Sequence, residues 1–408
     1  MTRDFWDMRL HRQRPYAHEY DWMTKTIDGV PALKHYADNG ARGLLVWRWW
    51  DAFGYTLPLG HEKRFPDLVK ACHDHGIKLV PYTIGFLLSD AAPEYRTFRR
   101  DMLTEPEKGF TGVNRLPGLP NQMAYYACPG GLWRDFVTAT TAQCMDEYDT
   151  DGVYLDTTVR PEPCTNALHG CGWTREDGTR APTYPVLAIR DLMKRLYAIV
   201  STRKADGFVD AHIYDCLNVP ALAFSTGYWN GEQLEHGETK VDSLPLDRFR
   251  TEFMGHNIGV PADLLFYKLR DYESSVAIAI LHDVPVRCEQ DSDFETIAGI
   301  YRVRDEFGCE EARFHGYWES DSAIGLDGES CYASYWQHQQ NGVLVAVSNL
   351  SAEPQDVRLI PDLPRLGLGS AAGAVNLRPK GGAVSASGDA FTVPLGPQAW
   401  TLIQLQSR

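Results

Sequence analysis

The sequence predicts an α/β fold, a (β/α)8 TIM barrel followed by a C-terminal antiparallel β-sandwich. Short apolar segments alternate with helical patterns from about residue 40 to residue 307, which indicates βα units and a parallel sheet. From about Glu311 the pattern changes to alternating strands separated by turn residues. The length of 408 residues suits one barrel of about 250 residues with a smaller appended domain. We therefore expect a barrel over residues 1–312 and a β-sandwich over residues 313–408.

Apolar runs bounded by helical patterns or turn residues give the order of the barrel strands. A first strand is expected within Phe5–Tyr16, which makes Gly152–Asp156 the fourth strand and Phe224–Asn230 the sixth. The last two strands are predicted at Val260–Tyr267 and Val284–Arg287. The predicted helices between and after these strands are Phe65–His75, Leu132–Tyr148, Tyr184–Lys204, Arg270–Leu281 and Phe294–Phe307.

Charge and composition argue against several classes of protein. The formal charge of −14 opposes binding to nucleic acid, which needs clustered Lys and Arg to neutralise phosphates. No apolar stretch approaches the roughly 18 residues of a membrane span, and the N-terminus lacks the apolar run of a secretion signal. The nine cysteines are an odd number and fit a reducing compartment better than a disulfide framework. We expect a cytoplasmic protein with no membrane or nucleic-acid partner.

Two carboxylates follow predicted strands at the end of a parallel barrel where active sites lie. Asp156 directly follows the apolar run of the fourth strand, and Glu232 follows the sixth strand after Gly231, which permits a sharp turn. Asp156 could instead start a turn or cap a helix, and Glu232 could be a solvated loop residue. Because hydrolysis of a glycosidic bond needs two carboxyl groups, the pair predicts a glycoside hydrolase.

Aromatic, basic and acidic side chains gather at the same strand ends. Sugars present apolar C–H faces and hydroxyl edges, so aromatic faces combined with polar hydrogen-bonding groups are what a sugar subsite requires. At least one tryptophan of the run Trp47, Trp49 and Trp50 is expected to pack between barrel and helices, with Trp47, Trp49 or both facing the mouth. The predicted substrate contacts are Trp47, Arg48, Trp49, Asp51, Tyr82, His212 and Trp229.

Cysteine and histidine residues cluster around the long loop at 157–183, which follows the fourth strand. Cys128, Cys164 and Cys171 together with His169 have the number and type of ligands for a tetrahedral structural zinc site. The spacing is not that of a standard zinc finger, and free cysteines are often small buried hydrophobic residues. A disulfide within the group is a further alternative. No other cofactor is expected.

The sequence lacks the motifs of two other classes of protein, the metal-dependent amidohydrolases and the nucleotide-binding enzymes. A metal-dependent amidohydrolase would need His-x-His at the end of the first strand, and the only such spacing, His73 and His75, falls on a predicted helix. Neither a Walker loop nor a GxGxxG loop occurs, so nucleotide chemistry is not supported.

Five motifs of the sequence occur together: Cys128-Pro, Trp133-Arg-Asp, Asp151-Gly-Val-Tyr-Leu-Asp156-Thr, Cys164 with His169-Gly-Cys-Gly, and Trp229-Asn-Gly-Glu232. This combination resembles a group of bacterial glycoside-hydrolase-like barrels, and more distantly the α-galactosidase and α-glucosidase superfamily. The resemblance implies that Asp156 is the nucleophile, Glu232 the acid/base and the mechanism retaining. This chain departs from the superfamily, which commonly has Lys-x-Asp at the first carboxylate and Asp at the second.

The leading hypothesis is therefore a glycoside hydrolase with a carbohydrate substrate and a two-carboxylate mechanism. One alternative resembles the β-N-acetylhexosaminidases that use the acetamido group of the substrate as nucleophile. Those enzymes usually place two adjacent acidic residues at one strand end, and Asp156-Thr157-Thr158 lacks the second. The other alternative is a barrel that binds sugars without hydrolysing them.

Overall fold

The computed structural model of the chain contains two compact units. It describes residues 12–18, 20–105, 122–158, 161–213, 217–234, 244–265, 272–288, 291–370, 372–378 and 381–407. The first unit comprises Met1–Asn230 and Ile258–Pro261, and the second comprises Gly231–Asn257 and Ala262–Arg408.

A parallel half-barrel of six strands forms the centre of the first unit. In spatial order these strands are β1 (Gln13–His18), β4 (Gly43–Trp47), β5 (Lys78–Ile84), β8 (Gly152–Asp156), β11 (Phe208–Ile213) and β12 (Gly227–Asn230). Gly152–Asp156 is thus the fourth strand and Gly227–Asn230 the sixth, as the sequence predicts. The first strand overlaps the predicted window, of which residues 5–11 lie outside the described residues.

From β4 to β12 the strands of this half-barrel are buried nearly throughout, as parallel strands covered on both faces should be. Every described residue of β11 and β12 is buried, and so are the first four of β4 and of β8. Each run is short and rich in apolar residues, which is why it stands out in the sequence.

Helices connect the parallel strands. They are α1 (Ala32–Asp38), α2 (Phe65–Asp74), α3 (Tyr95–Met102), α4 (Leu132–Tyr148), α5 (Val186–Arg203) and α6 (Val219–Leu222). α5 shows how such a helix packs against the rest of its unit. Its buried residues are Ile189, Leu192, Met193, Leu196 and Val200. These positions recur every three to four residues and form one apolar stripe. The predicted (β/α) architecture is confirmed.

Short antiparallel strand pairs also occur in the described part of the first unit. They pair β2 (Thr26–Ile27) with β3 (Val30–Pro31), β6 (Leu87–Ser89) with β7 (Ala124–Tyr126), and β9 (Trp173–Thr174) with β10 (Arg180–Ala181). The β9–β10 hairpin lies in the long loop after β8.

The second unit begins with α7 (Leu246–Phe253), β13 (Ala262–Leu264), α8 (Tyr272–Ala279) and α9 (Asp291–Phe307). Full strands are predicted at Val260–Tyr267 and Val284–Arg287, but the structure has the three residues of β13 and a single parallel bridge between Leu264 and Val286. Prolines at positions 261 and 285 cannot donate to a ladder of hydrogen bonds, which explains the shortening. Residues 266–271 lie outside the described part.

Two antiparallel sheets complete the second unit and confirm the predicted β-sandwich. The five-stranded sheet has the order β14 (Arg313–His315), β16 (Cys331–His338), β17 (Gly342–Asn349), β22 (Ala399–Gln406) and β19 (Gly373–Asn376). The four-stranded sheet has the order β15 (Ile324–Asp327), β18 (Gln355–Pro361), β21 (Ala390–Leu395) and β20 (Ser385–Ser387). Val345 and Ile403 from one sheet share a buried core with Leu359 and Val393 from the other. Alternation of buried and exposed residues along β18 matches this packing.

The predicted domain boundary at 312/313 stays a prediction. The antiparallel strands begin at Arg313, whereas the division between the compact units falls at residues 230/231 with a return at 258–261. Across the part of the chain that the structure describes, no helix is both long enough and apolar enough to cross a membrane.

Candidate active site

Five of the predicted site residues lie at the C-terminal ends of neighbouring parallel strands. Trp47, Tyr82, Asp156, His212 and Trp229 belong to β4, β5, β8, β11 and β12 in that order. In the register of these strands, Tyr82 pairs with Tyr154, and His212 pairs with Trp229. Because alternate residues of a strand share a face, the five side chains lie on the same side of the sheet.

Asp156 accepts hydrogen bonds from three surrounding groups. The Tyr82 hydroxyl donates to Oδ2, His212 Nδ1 lies 2.5 Å from Oδ1, and the Thr157 backbone N–H donates to Oδ1 over 2.7 Å. The Asp156 side chain is 18% exposed, whereas that of His212 is 5% exposed. A carboxylate oxygen only accepts, so the ionised carboxylate requires the proton of His212 on Nδ1. Donors on both oxygens stabilise the negative charge of the carboxylate.

Thr157, whose N–H donates to Asp156, has a left-handed backbone with φ of 58°. A β-branched residue in this region is strained, at a cost of order 1–3 kcal/mol. The strained residue directly follows the last residue of β8 and redirects the chain there.

Tyr154, two residues before Asp156 on the same strand, packs against aromatic rings of the site. Its fully buried ring stacks on Tyr82 at 5.2 Å, packs against Trp229 at 4.6 Å and lies 6.2 Å from the ring of His212. The sequence analysis missed this residue, although its position two residues before Asp156 places it on the same strand face. Asp210 is a second omission: it is 1% exposed and occupies the equivalent position before His212.

Trp47 and Arg48 form one wall of the site. The ring of Trp47 meets Tyr82 edge to face at 6.4 Å, and the guanidinium carbon of Arg48 lies 4.4 Å above the Trp47 ring. Both residues are partly exposed, so each has surface left for a ligand. A cation over the indole face holds that face in place.

Two of the predicted substrate contacts, Trp49 and Trp229, are buried tryptophans. Trp49 is 0% exposed, stacks on Phe65 of α2 at 4.8 Å and donates from Nε1 to the Tyr82 carbonyl over 2.8 Å. Trp229 is 1% exposed and packs on Tyr154. Tyr82 and His212 are buried as well, and their described side-chain hydrogen bonds go to Asp156.

Asp51 lies in the loop after β4 and contacts His61. The two side chains approach to 2.9 Å, and the Asp51 side chain is 60% exposed. Gly60 has φ of 81°, a backbone conformation that favours glycine, and a Cβ there would displace the Asp51 carboxylate. The partnership with His61 could not be read from the sequence.

Glu232 belongs to the second unit, where it opens the short 3-10 turn Glu232–Leu234. Gly231 before it has φ of 132°, and a Cβ there would lie 2.9 Å from the Leu265 carbonyl oxygen. The sharp turn that the sequence predicts at Gly231 is therefore present. Residues 235–243 lie outside the described part of the chain.

The predicted cysteine and histidine ligands converge within the first unit. The sulfur atoms of Cys128, Cys164 and Cys171 all lie within 4.8 Å of one another, and His169 Nδ1 lies 3.6 Å from Cys164 Sγ. The hydrogen bond from Cys128 is the main cause that lowers the pKa of Cys164 to about 5. The hydrogen bond between Cys128 and Cys164 raises the pKa of Cys128, and burial of Cys128 raises it further. Burial also raises the pKa of Cys171.

Comparisons with known proteins identify the class of this fold. Residues 296–379 match the family "Glycoside hydrolase 123, C-terminal domain", and residues 13–173 match a "Domain of unknown function (DUF6259)". The search of curated proteins finds no match.

Three solved structures illustrate the structural similarity. An α-amylase from Geobacillus thermoleovorans, complexed with acarbose, has 12% identity and a TM-score of 0.61, covering 98% of this chain and 99% of its own. A maltogenic α-amylase from Thermotoga neapolitana has 10% identity and a TM-score of 0.59, covering 97% and 98%. A debranching enzyme from Nostoc punctiforme, soaked with acarbose, has 10% identity and a TM-score of 0.59, covering 98% and 99%.

At such low identity these structures establish the fold, a TIM barrel followed by a β-domain. The match of residues 296–379 and the amylase-like fold are both features of bacterial glycoside-hydrolase barrel proteins, and together they support a glycosidase. The more specific resemblance to the α-galactosidase and α-glucosidase superfamily stays a prediction.

Proposed function

We propose that this protein hydrolyses glycosidic bonds by a two-carboxylate mechanism in which Asp156 is the nucleophile. The observation that carries the proposal is the environment of Asp156 at the end of the fourth parallel strand. Tyr82, His212 and Thr157 all direct hydrogen-bonding groups at its two oxygens. Active sites of parallel barrels lie at this end of the strands.

The contacts of Asp156 suit a carboxylate that acts in its charged form. Hydrogen bonds to both oxygens hold the group in one orientation and leave its carboxylate at the mouth of the strands. A carboxylate can attack the anomeric carbon, form a covalent glycosyl-enzyme intermediate and leave when water attacks.

Glu232 is proposed as the acid/base. Its position two residues beyond β12 and the turn at Gly231 are the basis for this assignment. It would protonate the leaving oxygen in the first step and remove a proton from water in the second. With Asp156 as nucleophile the reaction retains the anomeric configuration.

Trp47, whose ring contacts Tyr82, and Arg48 are proposed sugar contacts, and Asp51 is a further candidate. The Trp47 ring offers a flat apolar face, and Arg48 can donate to hydroxyl groups beside it. One similar solved structure is a complex with acarbose and another was soaked with acarbose, so α-linked glucosides belong in the first substrate panel.

The test is hydrolysis of aryl glycosides of both anomeric series by the full chain, with malto-oligosaccharides and N-acetylhexosaminides included. We expect turnover of at least one substrate, loss of kcat by about 10⁴-fold in Asp156→Asn, and loss by about 10²- to 10⁴-fold in Glu232→Gln. Asp74→Asn and Glu353→Gln, at exposed positions, are the matched controls and should retain activity.

Proton NMR of the first-formed sugar shows whether the reaction retains or inverts the anomeric configuration. Retention supports Asp156 as nucleophile, and inversion contradicts it. Turnover restricted to N-acetylated sugars would replace the proposal with a substrate-assisted mechanism. Sugar binding without hydrolysis of any substrate would show a non-catalytic barrel.

A further inference from the structure

We propose that Cys128, Cys164, Cys171 and His169 bind one structural zinc ion. Cys128 lies just before α4, and the other three residues lie in the long loop that follows β8. Three thiols and an imidazole form a ligand set that zinc uses in closed, four-coordinate sites. The proposal concerns a different site from the proposed catalytic carboxylates and does not depend on them.

The distances suit a tetrahedral ion. With Zn–S bonds of about 2.3 Å, two thiolates of a tetrahedral site lie about 3.8 Å apart. Cys128 Sγ and Cys171 Sγ are separated by 3.9 Å, and all three sulfur atoms lie within 4.8 Å of one another. The three cysteines are at most 4% exposed, so the sulfurs face each other and not the solvent.

Backbone groups around the sulfurs are arranged to support thiolates. The Gly130 N–H donates to Cys128 Sγ over 3.3 Å, and the Asn166 N–H donates to Cys164 Sγ over 3.4 Å. A Cβ on Gly130 would lie 3.3 Å from Cys128 Sγ and 3.5 Å from Cys171 Sγ. Glycine at this position thus lets the backbone lie against two sulfurs without crowding them.

The hydrogen bonds of His169 leave Nδ1 as the metal-binding atom. Asn166 Nδ2 already donates to the carbonyls of Arg100 and Leu103, over 2.8 and 3.0 Å, which uses both of its hydrogens. The His169 Nε2 atom must then carry the ring proton and donate it to the Asp101 carbonyl, 3.0 Å away. A backbone acceptor on the distal nitrogen is the usual way in which a zinc-binding histidine is oriented.

The lone pair of His169 Nδ1 points toward the cluster, 3.6 Å from Cys164 Sγ. This distance is close to the separation of about 3.5 Å expected between sulfur and nitrogen ligands of one zinc ion. His169 lies outside the 4.8 Å group of sulfurs, so zinc binding requires its ring to move closer to the cluster.

The competing explanations account for less of this geometry. A disulfide between Cys128 and Cys171 would require the sulfurs to move from 3.9 Å to about 2.05 Å, and it would leave Cys164 and His169 unused. Ordinary buried cysteines, such as Cys72 and Cys144, do not explain why an imidazole with a fixed tautomer joins three thiols.

The experiment measures metal in the full chain, purified without chelator from cells grown with zinc. We expect one zinc per chain by plasma mass spectrometry. Cys128→Ser and Cys171→Ser should lose most of it, and His169→Ala should bind zinc more weakly in a competition with a chromogenic chelator. Cys144→Ser, which changes an equally buried thiol outside the cluster, is the matched control and should retain one zinc.

Because a variant can lose zinc by failing to fold, a second measurement uses the unaltered chain. Zinc is removed with a chelator under reducing conditions and replaced by Co²⁺, whose visible spectrum reports tetrahedral thiolate ligands. Intense ligand-field and sulfur charge-transfer bands support the proposal. Three outcomes overturn it: no zinc bound before or after titration, a Cys128–Cys171 disulfide in the purified protein, or a zinc content unchanged by both serine variants.

Discussion

His212 and Asp156 approach each other across neighbouring strands, with His212 Nδ1 2.5 Å from Asp156 Oδ1. The His212 side chain is nearly inaccessible, whereas Asp156 keeps a small exposed fraction. The two residues therefore have different roles in the proposed site. Asp156 can reach a substrate, and His212 holds the Asp156 carboxylate in place. This division gives the two residues different expected phenotypes on substitution.

His212→Leu should lower kcat by about 10- to 100-fold with a smaller effect on KM, because a hydrogen bond to a charged group contributes roughly 1.5–3 kcal/mol. His212→Asn is the matched variant, since its amide nitrogen can occupy the position of Nδ1 and donate to Asp156. It should retain more activity than the leucine variant. Equal losses in both variants would contradict a positioning role for the Nδ1 hydrogen bond.

Tyr82→Phe removes the hydroxyl that donates to Asp156 Oδ2 and leaves the ring stacked on Tyr154. We expect kcat to fall by about 10-fold or more while the melting temperature changes little. Tyr55→Phe is the control, because the Tyr55 hydroxyl also contacts a carboxylate, that of Glu94 at 3.0 Å. Full activity in the Tyr82 variant would show that this donor has no role in turnover.

Trp47→Ala should raise KM more than it lowers kcat, because the proposed role of the indole face is to bind sugar. Loss of one aromatic contact corresponds to about 0.5–1.5 kcal/mol, or roughly a 2- to 12-fold rise in KM. Trp173→Ala removes an indole that is 54% exposed in the β9 strand and serves as the control. Similar KM values for the Trp47 variant and the unaltered chain would show that Trp47 is not part of the sugar-binding surface.

Much of the half-barrel could be predicted from the sequence because each parallel strand is a short apolar run followed by a polar residue. This pattern identified Gly152–Asp156 as the fourth strand and placed Asp156 at its end. The pattern fails where prolines interrupt a run, as at positions 261 and 285, since a missing N–H shortens a strand in a way that side-chain hydrophobicity does not show.

Burial of individual aromatic residues was harder to predict. Trp47 and Trp49 are two residues apart and would share a face if β4 continued through both. The strand ends at Trp47, and Arg48 adopts φ of 54°, which breaks the alternation and sends Trp49 into the core beside Phe65. Neither the positive φ at Arg48 nor that at Thr157 has a sequence signal, because both residues rarely adopt it.

Gly152→Ala should prevent or severely weaken folding of the first unit. Gly152 has φ of 144°, and a Cβ there would lie 2.0 Å from the carbonyl oxygen of Phe208 on the neighbouring strand. Backbone atoms of paired strands cannot move apart without breaking the ladder, so we expect a loss of about 3 kcal/mol or more in the free energy of unfolding. Gly178→Ala, at φ of 81° with open space around the new Cβ, should lose only about 1 kcal/mol. Chemical denaturation of both variants measures the difference.

His282 should make the stability of the second unit depend on pH. Burial lowers the pKa of His282 to about 4 in the folded state, where its ring packs on Phe249 and Trp318 and Nδ1 lies 2.7 Å from the Ile278 carbonyl. In the unfolded chain the pKa is about 6.5. As pH falls between about 6.5 and 4, the unfolded chain takes up a proton that the folded chain does not, so stability is complete above 6.5 and is lost progressively down to about 4.

The expected loss is roughly 3 kcal/mol, since each unit of pKa difference corresponds to about 1.4 kcal/mol. Urea denaturation at a series of pH values, followed by the fluorescence of the second unit's tryptophans, measures it. His282→Gln keeps a polar amide in the same pocket but does not titrate, so its stability should be lower at pH 7 and flatter between pH 7 and 4. Parallel pH dependence in the two proteins would mean that other groups, and not His282, cause the loss.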